Sequence, residues 1–176
     1  MKKRVYIIYT GGTIGMQPTP EGYAPAPGYL AEQIMSMPEL QSDLMPEVEI
    51  QEYDPLLDSA NMTPEDWHKI ARDIGEHYNE YDGFIILHGT DTLTVTGEHL
   101  LHVLRGLTVP VILTGAMRPF EMTRSDALQN LNEAIFATGV LPPGVYCVAH
   151  GRVLPFPGVR KDRDRRTFVR AEMPAP

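Results

Sequence analysis

Four short segments of this chain combine glycine with small polar side chains: Thr10-Gly11-Gly12-Thr13, Asp58-Ser59-Ala60-Asn61, His88-Gly89-Thr90-Asp91 and Thr114-Gly115-Ala116-Met117. A threonine hydroxyl such as that of Thr13 is a nucleophile only when a base or a hydrogen-bonded chain takes its proton. A carboxylate such as Asp91 at a helix start is favoured in its charged form and stands ready for a ligand ammonium. Glycine lets backbone approach a ligand closely. Converging hydroxyls, carboxylates and bare backbone suit a compact ligand that carries both charges. Each segment also has a plainer reading. Thr13 can cap a turn, and Asp91 can be only a helix N-cap. "GGTIG" lacks the Lys-Ser/Thr of a phosphate loop and the following helix of a dinucleotide fingerprint, so a phosphate role is weak.

The segments gain force from the elements that carry them. Residues 4–9, 83–89, 110–119 and 144–150 hold short apolar, β-branched runs that read as fully buried strands. Val48, Ile50 and Tyr53 suggest a further strand by alternation. Residues 10–28 read as one long Gly/Pro loop, and such loops are usually lids or binding loops. Residues 29–37 suit a short helix. A longer helix starts at Thr63, with Pro64 at its first position and Asp66 completing a capping box. Its apolar face is Trp67, Ile70, Ala71, Ile74 and Tyr78. Another helix opens at Asp91 or Thr92. A third, capped at Ser125, turns Leu128, Leu131 and Ile135 inward. Residues 144–150 are the last strand expected, and "AEMPAP" reads as a frayed tail.

Buried strands alternating with amphipathic helices predict an α/β fold: three layers, doubly wound, with a mainly parallel sheet of Rossmann/flavodoxin type. One domain spanning 1–176 is expected. In such sheets ligands bind beyond the carboxyl ends of the strands, where three of the four segments sit and the fourth follows a strand by a short loop.

Composition narrows the function further. The chain has 176 residues, 43% hydrophobic and 22% charged, an ordinary globular balance. No apolar run approaches the ~20 residues of a membrane span. The apolar stretch after "MKKR" is shorter than the roughly 7–15 residues of a signal peptide, so the expected location is cytoplasmic. The single cysteine, Cys147, offers no internal disulfide and reads as a small buried hydrophobe. The net charge is −8, yet residues 152–170 hold seven of the 15 basic residues. Asp162 and Asp164 alternate with them, so a solvated or subunit-facing charged segment is expected and nucleic acid is an unlikely partner. His99 and His102 share a helix without a third ligand, so no metal or other cofactor is expected.

"YTGGTIG", "LHGTDTL", and "VILTGAMRP" followed by "SDALQNLNEA" closely resemble the bacterial L-asparaginase family. "DSANMTPEDW" resembles its cytoplasmic, type I branch. The resemblance covers about residues 4–169 and matches only the N-terminal catalytic domain of the usual two-domain enzyme, so what it implies is a short-chain asparaginase. It implies hydrolysis of L-asparagine to L-aspartate and ammonia through an acyl-enzyme. It implies Thr13 as the nucleophile, in a lid over about residues 14–28 that carries Tyr23. Thr90, Asp91 and Lys161 match the assisting threonine, the aspartate that holds the substrate ammonium, and the lysine that pairs with Thr90. Ser59, with Ala60 beside it, matches the α-carboxylate site. The Ala116 backbone matches the group facing the side-chain amide, and backbone N–H groups near Gly12 and Thr90 would hold the oxyanion. Lys161 serves a proton chain if burial favours its neutral form. The family's second domain contributes to a neighbour's site, so the resemblance implies a homodimer or homotetramer here. A non-catalytic module that binds or senses asparagine or aspartate stays open beside the enzyme.

Overall fold

The computed structural model describes residues 2–171, so the "AEMPAP" tail reading lies outside the described residues from position 172 onward. In chain order the elements are β1 (Arg4–Tyr9), β2 (Met16–Thr19), β3 (Gly22–Pro25), α1 (Tyr29–Met35), β4 (Glu47–Glu52), α2 (Pro64–His77), β5 (Gly83–Leu87), α3 (Leu93–Val103), β6 (Pro110–Thr114), α4 (Ala127–Val140), β7 (Gly144–Ala149), β8 (Arg152–Pro155), β9 (Val159–Asp162) and β10 (Thr167–Arg170). Six of the strands form one sheet in the order β4-β1-β5-β6-β7-β8. The first five run parallel, and β8 returns antiparallel along β7.

Alternate residues of each strand face opposite layers, as a pleated strand requires. Tyr6, Ile8, Phe84, Ile86, Val111 and Leu113 pack with Ile70 and Ile74 of α2 and Leu93 and Leu100 of α3. Val5, Ile7, Tyr9, Ile85, Leu87 and Ile112 pack with Leu30 and Ile34 of α1 and Leu131 and Ile135 of α4. The central strands are therefore apolar on both faces, and the fold is the expected three-layer doubly wound α/β sheet. The order places β1 between β4 and β5, the point where the winding reverses. Asp66 completes the capping box on α2: its carboxylate accepts the Thr63 N–H at 2.8 Å and the Thr63 hydroxyl at 2.9 Å. Among the described residues, no helix is long and apolar enough to cross a membrane.

Four expectations need correction. Residues 10–28 are not one structureless loop, because β2 and β3 pair antiparallel within them, Met16 opposite Pro25 and Thr19 opposite Gly22. Prolines disguise these strands, since a proline is tolerated in a two-stranded ribbon that needs few ladder bonds. Tyr53 does not continue the alternation of Val48 and Ile50: it lies past the end of β4 and packs on the opposite layer. Leu128 does not face inward. It is 41% exposed, because the buried stripe of α4 runs through Ala127, Leu131, Ala134 and Ile135. Finally, residues 152–170 are not simply a charged surface segment. They form β8 and a β9–β10 hairpin, and Phe156 between them is buried with Val159 and Phe168 of the hairpin in the layer of α2 and α3.

That last packing rests on a glycine. The Phe156 ring lies flat on Gly97 of α3, and a Cβ there would stand 2.1 Å from its Cζ. In a free helix Gly→Ala gains roughly 1 kcal/mol of helix stability. Here the overpacking outweighs that gain, so Gly97→Ala is expected to destabilise the chain by about 1–3 kcal/mol in urea unfolding. A more stable variant would show that Phe156 is not seated as described.

Candidate active site

The carboxyl ends of β1 and β5 meet without side chains between them. Thr10 donates both its N–H (3.0 Å) and its hydroxyl (2.9 Å) to the Leu87 carbonyl, which stitches the two strand ends together. Gly12 follows at φ 98, and a Cβ on it would stand 2.5 Å from the Gly89 Cα. A Cβ on Gly89 would stand 2.3 Å from Ser59 Oγ. Backbone from β1, backbone from β5 and the Ser59 side chain thus close on one spot, which glycine alone allows. Thr13 comes next and opens a one-turn 3-10 helix, Thr13–Gly15. Its neighbour Ile14 is fully buried. The Thr13 backbone is thereby anchored at the root of the β2–β3 hairpin rather than out on it.

The loop after β4 is rigid in its own right. Asp58 accepts the Ala60 N–H at 3.0 Å and the Asn61 side-chain amide at 2.8 Å. Ser59 is 5% exposed, and its carbonyl accepts the Thr92 hydroxyl at 2.7 Å. Thr92 is the N-cap residue of α3, but its hydroxyl is spent on this bond and does not cap the helix. Asp91 does not cap it either.

Asp91 instead faces Lys161. The Lys161 Nζ lies 3.0 Å from Asp91 Oδ1 and 2.8 Å from Thr90 Oγ1, donating to both. Among the described residues, the Thr90 hydroxyl has no other partner, so its own proton is free to point at a ligand. A neutral Lys161 is expected only where burial favours that form. In the structure it is the cation of an ion pair whose side chains are 19% and 51% exposed. Lys161 arrives from seventy residues away through ordinary packing. The Phe156 N–H donates to the Val145 carbonyl at 3.0 Å, and the Gly158 N–H donates to the Glu98 carboxylate at 2.7 Å. Across the hairpin Lys161 pairs with the fully buried Phe168. Nothing in the sequence marks Gly97 or Glu98 as supports of this lysine, because one acts by lacking a side chain and the other through a partner sixty residues away.

The loop after β6 is fixed from α4. Asp126 accepts the N–H groups of Met117 (2.9 Å) and Arg118 (3.0 Å), and Asn130 donates to the Gly115 carbonyl at 2.8 Å. Ala116 is itself buried, packed with Ala127 and Leu131 of α4. A Cβ on Gly115 would lie 3.4 Å from the Thr90 methyl, which brings this loop against the same site. The structure thus gathers Gly12, Thr13, Ser59, Thr90, Asp91, Lys161 and Ala116 at one edge, while Ala60 is exposed on the rim. It does not join Tyr23 to them. Tyr23 lies opposite Pro18 on the hairpin, 39% exposed, and makes no hydrogen bond to Thr13.

Beneath the site lies a buried histidine. His88 is fully buried; its Nδ1 lies 2.7 Å from the Gly89 carbonyl and its Nε2 2.8 Å from the Thr96 hydroxyl. A carbonyl only accepts, so Nδ1 carries the proton and Nε2 accepts from Thr96. Burial pushes the His88 imidazole down to about 4. The neutral ring therefore holds the backbone turn that carries Thr90 and Asp91.

Comparison with known proteins gives the family and the fold. The family model described as "Asparaginase, N-terminal" matches residues 4–172. L-asparaginase 1 of Escherichia coli is 50% identical over 141 residues, which are 80% of this chain and 42% of that protein. The crystal structure of L-asparaginase I from Vibrio cholerae superposes with a TM-score of 0.91 at 40% identity, covering 99% of this chain and 53% of that one. The thermostable L-asparaginase from Thermococcus kodakarensis superposes at 0.84 and 31% identity, over 97% of this chain and 52% of its own. The chain spans about half the length of the relatives it matches.

The His88 environment sets a pH dependence. The unfolded chain binds a proton near pH 6.5 and the folded chain only near 4, so unfolding is favoured as pH falls between those values. The His88 contribution is complete above about pH 6.5 and is lost at up to about 1.4 kcal/mol per pH unit on the way down. Urea titrations from pH 7.5 to 4.5 test this, alongside NMR of the His88 ring. An imidazole that titrates in the folded protein near 6.5 would contradict it.

Proposed function

The chain belongs to the asparaginase family, and from that premise we propose that it hydrolyses the side-chain amide of L-asparagine to L-aspartate and ammonia. The observation that carries this reading is the contact of Lys161 with both Thr90 and Asp91, at the end of β5 and next to the end of β1 that leads to Thr13. An ammonium acceptor, a relay hydroxyl and a proton carrier stand together beside a candidate nucleophile.

In this reading Asp91 holds the substrate ammonium and Ser59 the α-carboxylate. The Thr13 oxygen adds to the amide carbon. Its proton leaves toward the Thr90–Lys161 pair, and the negative oxygen that develops is met by backbone N–H groups near Gly12 and Thr90. The C–N bond then breaks, the nitrogen takes up a proton and departs as ammonia, and water cleaves the acyl-enzyme to free aspartate and Thr13. Lys161 accepts the Thr13 proton, and hands it on to the departing nitrogen, only after releasing one of its own to solvent. A substrate ammonium at Asp91 brings a second positive charge beside it, which favours that loss. The β2–β3 hairpin, carrying Tyr23, serves as the lid that closes over Thr13 and excludes water.

An assembly of two or four copies fits the surface. Phe136 and Val140 of α4 and Val153 of β8 are 63%, 62% and 45% exposed and line adjoining grooves. Such apolar area on one face is commonly covered by a partner.

Ammonia release from L-asparagine decides between enzyme and binding module. Thr13→Ala is expected to lower kcat by roughly three orders of magnitude or more, as loss of a nucleophile does. Thr90→Val and Lys161→Met are expected to lower it strongly while L-aspartate still binds. A protein that binds L-aspartate but releases no more ammonia than Thr13→Ala would be the sensing module instead.

A further inference from the structure

A second feature of the molecule is unused by this chemistry. Behind the Ala116 loop lies a cavity of about 260 Å³ lined by Met117, Arg118, Arg124, Asp126, His150 and Arg166. It gathers three guanidinium groups in a chain whose net charge is −8. Among the described residues, no carboxylate pairs with any of the three. Arg118 donates to the Thr123 carbonyl at 3.2 Å and Arg166 to the Met117 carbonyl at 3.3 Å, which leaves the other N–H groups of each fork unspent.

The one carboxylate in the cavity forms no ion pair with them. Asp126 is occupied by the Met117 and Arg118 N–H groups, by Asn130 Nδ2 at 3.0 Å and by His150 Nε2 at 2.9 Å. The His150 Nδ1 in turn lies 3.2 Å from the Thr167 hydroxyl, next to Arg166. The backbone is as unusual as the charge. Among the described residues, only three other than glycine have positive φ: Arg124 (60°), His150 (53°) and Arg166 (50°). All three line this cavity. Left-handed backbone at a non-glycine residue is costly, and such strain collects where a particular side-chain placement is needed.

We infer that this cavity binds a small oxyanion, its oxygens received by Arg118, Arg124 and Arg166. Guanidinium forks match the paired oxygens of phosphate and of carboxylate alike, so the shared chemistry is an anionic group with two or more oxygens. The cavity is several times the ~30 Å³ of one water, which is room for such a group. The site is separate from the amino-acid site and does not depend on the hydrolytic reading.

The test is calorimetric titration with sodium phosphate and, separately, with malonate, at fixed ionic strength maintained with chloride. Saturable binding at one anion per chain is expected. Tighter phosphate would assign the phosphate class and tighter malonate the carboxylate class. Arg166→Gln and Arg124→Gly are each expected to weaken binding roughly tenfold or more, the loss of one charge-assisted contact. Arg124→Gly should also raise the Tm of the anion-free protein, because glycine relieves the left-handed backbone. Asp91→Asn should leave anion affinity unchanged, which separates this cavity from the site at β1 and β5. The inference is overturned if neither anion gives saturable heat, if both arginine variants bind as wild type does, or if Asp91→Asn abolishes the binding.

Discussion

The backbones of β1 and β5 touch where the two strands end. Gly12 and Gly89 are so close that a single methyl on either would overlap backbone or Ser59. Almost everything else at the site follows from that contact. It exists because β1 sits where the winding of the sheet reverses, with β4 on one side and β5 on the other. It brings Ser59, Thr13 and the Thr90-Asp91 pair to one edge from three separate connections. It also explains why residues with no side chain belong to the candidate site: they let rigid strand ends, rather than mobile loops, set the distances.

Lys161 is the exception, since no strand of the main sheet carries it. It is held by an apolar ring on a helix glycine, a backbone N–H on Glu98 and two residues buried in the layer of α2 and α3. An ion pair this exposed contributes little to stability. Its value lies in position: one ammonium group spans a hydroxyl and a carboxylate. The arginines that surround Lys161 in sequence separate from it in space, because alternation along the β9–β10 hairpin buries Phe168 and leaves Arg166 near the Ala116 loop.

The parallel sheet was legible because its central strands are apolar on both faces and its helices are amphipathic. The segments at the strand ends were legible because glycine and small polar residues recur there. The hairpin at residues 16–25 was not, since three prolines mask its pairing. Nor were β8, β9 and β10, whose buried residues are scattered among charges that dominate any local reading. Leu128 was misplaced because a helix face is set by where the helix starts and what it packs on, and sequence fixes neither closely. Glu98, Gly97 and the buried ring of His88 act through partners that only the fold brings close, so the sequence pattern does not assign these roles.

The central claim is that this edge of the sheet forms an amino-acid site from residues of this chain. A crystal structure of the protein with L-aspartate bound tests it most directly. The account predicts the ligand at the ends of β1 and β5, its ammonium on Asp91, its α-carboxylate against Ser59, and its side-chain carboxylate between Thr13 and the Ala116 backbone. Aspartate bound elsewhere, or bound there with its ammonium away from Asp91, would contradict it.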